Sequence, residues 1–179
     1  MYVAIQVVCF LHGLALRGLL HTVLIVCPGS VLFHWVREFH KWSPTLRIIV
    51  LHTAGTALSF KTRNQVLTEV KNTGGIILCT YEALRIGRQE MLAVPWSYVV
   101  LDEGHRIRNP DAEITLVCKR LQTPHRLIVT GSPIQNHLRE LWSLFDFVYP
   151  GRLGTLPTFE DGNTIFLRVY KKGILMTSL

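Results

Sequence analysis

Charge is scarce in this sequence: Asp, Glu, Lys and Arg together make up 17% of 179 residues. A chain so poor in charge, and 49% apolar, is not a disordered or heavily solvated one. Its length suits one domain with a substantial core. Cysteine is sparse as well. Cys9, Cys27, Cys79 and Cys118 stand far apart with no Cys-x-x-Cys pair. That spacing gives no zinc site or disulfide framework, and makes a reducing compartment the default. The histidines bring no metal-ligand spacing either; His34 and His40, six apart, fall on different faces of a helix.

Formal charge is absent altogether from Met1 to Leu16, which invites a leader-peptide or membrane reading. A signal peptide needs a basic leading region and a small-residue cleavage site, and neither is present. A spanning helix needs about 20 uninterrupted apolar residues, and His12, Arg17, Gly18 and His21 interrupt this stretch. The expectation is a buried helix running into a buried strand, with no membrane as partner. What charge there is leans basic, with 19 Lys and Arg against 12 Asp and Glu. An excess of that sign favours an acidic partner, nucleic acid first, although many other basic proteins share it.

Strand-like and helix-like segments alternate along the chain. Val3 to Leu16 has helical length, with Gly18 at a C-cap position. Val23 to Cys27 is a continuous apolar run stopped by Pro28-Gly29, as in a strand buried on both faces. Ser30 is expected to N-cap a helix through Trp42, with Val31, Trp35 and Phe39 on one stripe. Trp35 and Trp42 are therefore expected in the core rather than as stacking platforms. Leu46–Leu51, Ile76–Cys79, Tyr98–Asp102 and Leu127–Thr130 read as further strands. Leu58–Val70, a short segment from Glu82, Asp111–Leu121 and Leu138–Val148 read as the helices between and after them. Such alternation predicts a three-layer α/β fold with a parallel sheet, and functional loops at the carboxyl ends of its strands. Those loops are Pro28-Gly29-Ser30, Thr80-Tyr81, Asp102 to His105, and Thr130 to Asn136.

Asp102-Glu103-Gly104-His105 follows four apolar strand residues. An Asp at a buried strand end can hold magnesium, and the adjacent Glu can orient an attacking water. The same residues also suit a solvated acidic turn before a helix. Thr130-Gly131-Ser132-Pro133-Ile134-Gln135-Asn136 ends the next strand with hydroxyls and amides, which can sense a phosphate and relay its state; ordinary turn chemistry uses these residues too. The two motifs close adjacent strands with one helix between them, a combination rarer than either alone.

Together these segments carry a specific resemblance. Asp102-Glu103-Gly104-His105 resembles motif II of helicase superfamily two, and Thr130 to Asn136 resembles motif III of its Swi/Snf branch. The stretch Leu138 to Leu144 is also typical of that branch. Val26-Cys27-Pro28 with Trp35 and Phe39 resembles motif Ia, and Thr80-Tyr81 resembles motif Ib. The likeness runs from about Ile5 to Phe159. It implies a RecA-like (P-loop NTPase) lobe using ATP and Mg²⁺, acting on double-stranded DNA in the nucleus, among transcription-coupled DNA repair and chromatin-remodelling proteins. On that resemblance Asp102 would hold Mg²⁺ and Glu103 would position or deprotonate water. His105 and Gln135 would join them at the nucleotide, while Thr130, Gly131, Ser132 and Asn136 would couple nucleotide state to DNA grip. Pro28, Gly29, Ser30, Thr80, Tyr81 and Arg108 would contact DNA, with Arg106 and Asn109 nearby. Chromatin or the transcription machinery would be the further partners.

Where the family carries a Gly-rich loop with Lys and Thr, before the segment matching Ile5-Gln6-Val7, this sequence has only Met1-Tyr2-Val3-Ala4. The resemblance therefore implies residues 1–159 as a partial first lobe, truncated at its first strand, and 160–179 as a divergent tail. Two readings remain open: a piece of an ATP-driven DNA translocase, or a catalytically dead DNA- or partner-binding fragment.

Overall fold

Val23 to Val26, Ile76 to Cys79 and Val99 to Leu101 are almost wholly buried on both sides, and this decides the architecture. Only helices laid over each face of a parallel sheet shield strands of that kind. The computed structural model describes residues 2–51, 60–131 and 138–161. Its elements are α1 (Tyr2–Leu16), β1 (Thr22–Cys27), α2 (Leu32–Trp42), β2 (Ile48–Leu51), α3 (Phe60–Thr73) and β3 (Gly75–Thr80). There follow α4 (Tyr81–Ile86), α5 (Arg88–Leu92), β4 (Tyr98–Asp102), α6 (Glu113–Arg120), β5 (His125–Val129) and α7 (Leu138–Val148). Short 3₁₀ turns at Gly29–Val31 and Gly104–Ile107 lead away from β1 and β4.

The sheet runs β2-β3-β1-β4-β5, and every pairing is parallel. Alternate residues of each strand feed opposite cores. Val23, Ile25 and Cys27 pack with Val7, Val8 and Leu11 of α1 and with Leu32, Trp35 and Phe39 of α2. Leu24 and Val26 face the other way, toward Leu67 and Val70 of α3, Leu84 of α4, Val117 of α6 and Phe147 of α7. From β1 the chain builds outward to β2 and β3, then crosses to β4 and β5 on the other side. The carboxyl ends of β3, β1, β4 and β5 thus line one rim. The three-layer parallel-sheet expectation holds.

Two local expectations do not. Ser30 is not an N-cap: α2 starts after Val31, whose side chain makes no capping bond. Pro28, in extended conformation, instead opens the 3₁₀ turn, and its carbonyl accepts the Val31 amide at 3.1 Å. Trp42 is 44% exposed, its indole N–H donating to Glu38 at 3.0 Å, because the apolar stripe of α2 narrows at its last turn. No described helix is long and apolar enough to cross a membrane.

Candidate functional site

Asp102 closes β4 on that rim and is held at three atoms. Its Oδ2 accepts the indole N–H of Trp35 at 2.7 Å, and its Oδ1 accepts the amide of Glu103 at 2.9 Å. The Tyr81 hydroxyl donates to its backbone carbonyl at 2.8 Å. Trp35 and Tyr81 are buried, and burial raises the Tyr81 phenol far above its ordinary value, so it remains a donor. Burial, with the Asp102 charge adding to it, pushes the nearby Cys27 thiol up to about 12. Two of the groups packed around Asp102, the Tyr81 phenol and the Cys27 thiol, are therefore held neutral.

The chain turns sharply at the next residue. Glu103 has φ 52° and ψ 51°, and no other non-glycine among the described residues has positive φ. A side chain in the left-handed region costs energy and persists only where surroundings impose it, often at functional sites. The twist leaves Glu103 partly exposed at the rim. Gly104 then passes so close to β5 that a Cβ there would stand 2.3 Å from Cγ2 of Ile128. That close approach brings His105 between two motifs. Its Nδ1 lies 3.2 Å from Glu103 Oε2 and 3.4 Å from the Thr130 hydroxyl. A protonated Nδ1 donates to the carboxylate; a bare one accepts from the hydroxyl.

The remaining positions predicted from sequence fall around this centre. Gly131 is exposed just beyond β5, while Ser132, Gln135 and Asn136 lie outside the described residues. Gly29 and Ser30 are exposed at the start of the turn after β1, where amides have no partner within the helix. Pro28 precedes them and is half-buried. Thr80 is buried, and its hydroxyl caps α4 by accepting the Ala83 amide at 3.1 Å. Arg106 places its guanidinium 5.6 Å from the Tyr81 ring centroid, and Arg108 faces Glu140 of α7 at 3.8 Å. Asn109 turns inward on its own loop, accepting the Asp111 amide. Ser143 of α7 donates to the Ile107 carbonyl at 2.7 Å, tying that helix to the turn.

Chemically the site offers hard oxygen donors. Among the described residues no group of three or more His, Cys, Asp or Glu could hold a metal ion. Asp102 has one protein donor on each oxygen, and a carboxylate has about four acceptor positions, so room remains for a cation or its waters. This suits Mg²⁺, which binds through one or two carboxylates and completes its shell with water and phosphate oxygens. Sequence reasoning placed Gly104 in the motif and Trp35 in the core without giving either a role at the site. The signal for Trp35 was available, since a buried indole N–H needs an acceptor.

Comparison with known proteins identifies the family and the fold. The SNF2-related domain family matches residues 4–173. Human DNA excision repair protein ERCC-6 is 46% identical over 169 residues, covering 88% of this chain and 11% of the relative. The Saccharomyces cerevisiae DNA repair and recombination protein RAD26 is 41% identical over 199 residues, covering 88% of this chain and 18% of the relative. The chain thus spans a small part of the curated relatives it matches. Among solved structures, the Sulfolobus solfataricus SWI2/SNF2 ATPase core in complex with dsDNA superposes with a TM-score of 0.74 at 31% identity. That match covers 96% of this chain and 33% of the archaeal one. By family match, by identity and by fold, this chain belongs to the SNF2 family, with the RecA-like lobe of its ATPase core.

Proposed function

We propose that this chain is part of the first lobe of an ATP-driven translocase on double-stranded DNA, of the transcription-coupled repair type, working in the nucleus on chromatin or beside the transcription machinery. Residues 1–159 supply the lobe, and 160–179, mostly outside the described residues, a tail into which the family match runs as far as residue 173. The observation that carries this reading is His105 Nδ1, poised between Glu103 at 3.2 Å and Thr130 at 3.4 Å. A carboxylate that orients water and a strand-end hydroxyl that feels phosphate are there joined through one imidazole. The names of the relatives, and the duplex in the archaeal complex, support the choice of DNA.

In this reading Asp102 holds Mg²⁺, which when bound neutralises developing phosphate charge. Glu103, turned outward by its left-handed backbone, orients or deprotonates the attacking water. His105 fixes the Glu103 carboxylate and passes changes there to Thr130, Gly131, Ser132 and Asn136, with Gln135 at the nucleotide. The exposed amides at Gly29 and Ser30, after Pro28, take DNA phosphates at the start of a helix. The Thr80-Tyr81 segment and Arg108 lie on the same rim.

The test joins the chain to the family's Gly-rich loop and second lobe and measures DNA-stimulated phosphate release. Asp102→Asn should weaken magnesium-nucleotide binding. Glu103→Gln should leave binding intact and slow turnover by roughly a hundred-fold or more. Wild-type turnover in both variants would refute the acid-pair assignment.

A further inference from the structure

Two buried aromatic residues that follow the neighbouring strands β1 and β3 both reach the end of β4. Trp35 donates its indole N–H to Asp102 Oδ2 at 2.7 Å, and Tyr81 donates its hydroxyl to the Asp102 carbonyl at 2.8 Å. Both contacts end on the one residue proposed to hold the metal. We infer that Trp35 is a positioning residue for the Asp102 carboxylate, aiming its free lone pairs at the metal and tying the turn at Pro28–Ser30 to the metal site through α2. The inference rests on the proposed role of Asp102 in holding Mg²⁺.

The physical case is one of rotational freedom. A lone aspartate at a strand end can swing its carboxylate about two side-chain torsions. Here Oδ1 is held by the Glu103 amide at 2.9 Å and Oδ2 by an indole that cannot move. Trp35 is 1% exposed, its ring tilted against Phe39 at 6.2 Å between centroids. An indole N–H only donates, so it holds the acceptor oxygen of the carboxylate in one orientation. The acceptor capacity left on the two oxygens then has a fixed direction. Outer hydrogen bonds of this kind orient metal ligands, and their loss costs roughly 10–100-fold in metal affinity or activity.

The linkage follows from where Trp35 sits. It lies one helical turn into α2, whose start is the exposed turn Gly29–Val31. Any displacement of that turn by a bound phosphate is carried along α2 to the indole and so to Oδ2. Tyr81 forms the parallel connection from the end of β3, with the Arg106 guanidinium over its ring at 5.6 Å.

The experiment uses the full chain, ¹⁵N-labelled, titrated with Mg²⁺ and separately with Mn²⁺ alone. In the unmodified chain the Trp35 indole N–H resonance should shift with Mg²⁺ at the same midpoint as the Glu103 amide. Mn²⁺ should broaden both before the indoles of Trp96 and Trp142. Asp102→Asn should abolish these effects; if it leaves them unchanged, the metal reading fails. Trp35→Phe keeps the ring and removes the donor. Followed at the Glu103 amide, it should weaken the Mn²⁺ response about ten-fold or more. Phe39→Leu, which loosens the packing and keeps the donor, should leave the response near wild type. The positioning role is overturned, with the metal reading intact, if Asp102→Asn abolishes binding while Trp35→Phe changes nothing. Should Trp35→Phe not fold, an indole resonance unmoved by Mg²⁺ while the Glu103 amide shifts overturns it equally.

Discussion

Gly104 and Ile128 are in contact so close that they admit no side chain between them: a Cβ on Gly104 would lie 2.3 Å from Ile128 Cγ2. This contact packs the turn after β4 onto β5 and so sets the distance from His105 to Thr130. Gly104→Ala should destabilise the chain by about 1–3 kcal/mol, the usual cost of overpacking. Urea unfolding measures it. Ile128→Ala, which removes Cγ2, should recover part of the loss when combined with Gly104→Ala. Strictly additive effects in that cycle would mean that the two residues do not clash.

Much of this architecture was legible in the sequence because it rests on local pattern. The apolar runs at Val23–Cys27 and Tyr98–Asp102 fall within a residue of the strands β1 and β4, and Leu138–Val148 matches α7. The rim loops follow from the rule on carboxyl strand ends. What escaped depends on contacts far apart in sequence. Trp35 meets Asp102 across 67 positions, so periodicity could assign the ring to the core and not its N–H to a carboxylate. Gly104 looks like any turn glycine until β5 is laid beside it. Arg126 is a third case. Its guanidinium donates to the carbonyls of Lys119, Leu121 and Phe147, closing the ends of α6 and α7, whereas the sequence pattern leaves it just ahead of the strand expected at Leu127–Thr130, which begins at His125.

The buried thiols give a prediction in pH. Burial pushes Cys27 and Cys118 up to about 12 from an ordinary 9.0, and Cys79 is raised as well. In the folded chain these groups stay neutral while in the unfolded chain they ionise near pH 9. Their contribution is thus fully present below pH 9 and is lost as pH rises from there toward 12. Denaturation midpoints should fall across that window, and Cys118→Ala should flatten the fall. At pH 8, alkylation of the native protein should label the exposed Cys9 first and the other three only after unfolding.

Binding to duplex DNA should be weak, independent of sequence and steeply reduced by salt. The exposed amides at Gly29 and Ser30 and the rim arginines offer phosphate contacts, with no described strand or helix set to read base edges. Arg108→Ala should weaken binding uniformly across sequences and reduce the salt slope by about one unit. Titrations of two unrelated duplexes at two salt concentrations decide the matter. Tight, salt-insensitive preference for one duplex would point to a base-reading module instead.

The last prediction concerns β5, which has β4 on one side and, among the described residues, no strand on the other. Among the described residues its outer edge therefore carries a row of amides and carbonyls without ladder partners. Beside that edge runs a cleft of about 460 Å³ between Val3, Gln6, Val7 and Phe10 of α1 and Leu127 to Thr130. Val3 and Phe10 are 44% and 48% exposed, so the cleft is open and largely apolar. An uncovered edge next to apolar surface is a template for pairing with another chain. No residue of β5 is fully buried, so water satisfies that edge in the monomer, and a second chain can replace the water with a ladder while covering the apolar cleft. The 179-residue chain should sediment as a concentration-dependent mixture of monomer and larger species, with a shallow unfolding transition. Val3→Lys places a charge on the rim of the cleft without touching the core, and should shift the mixture toward monomer. A chain monomeric at every concentration, with a sharp unfolding transition, would show that β5 tolerates an open edge.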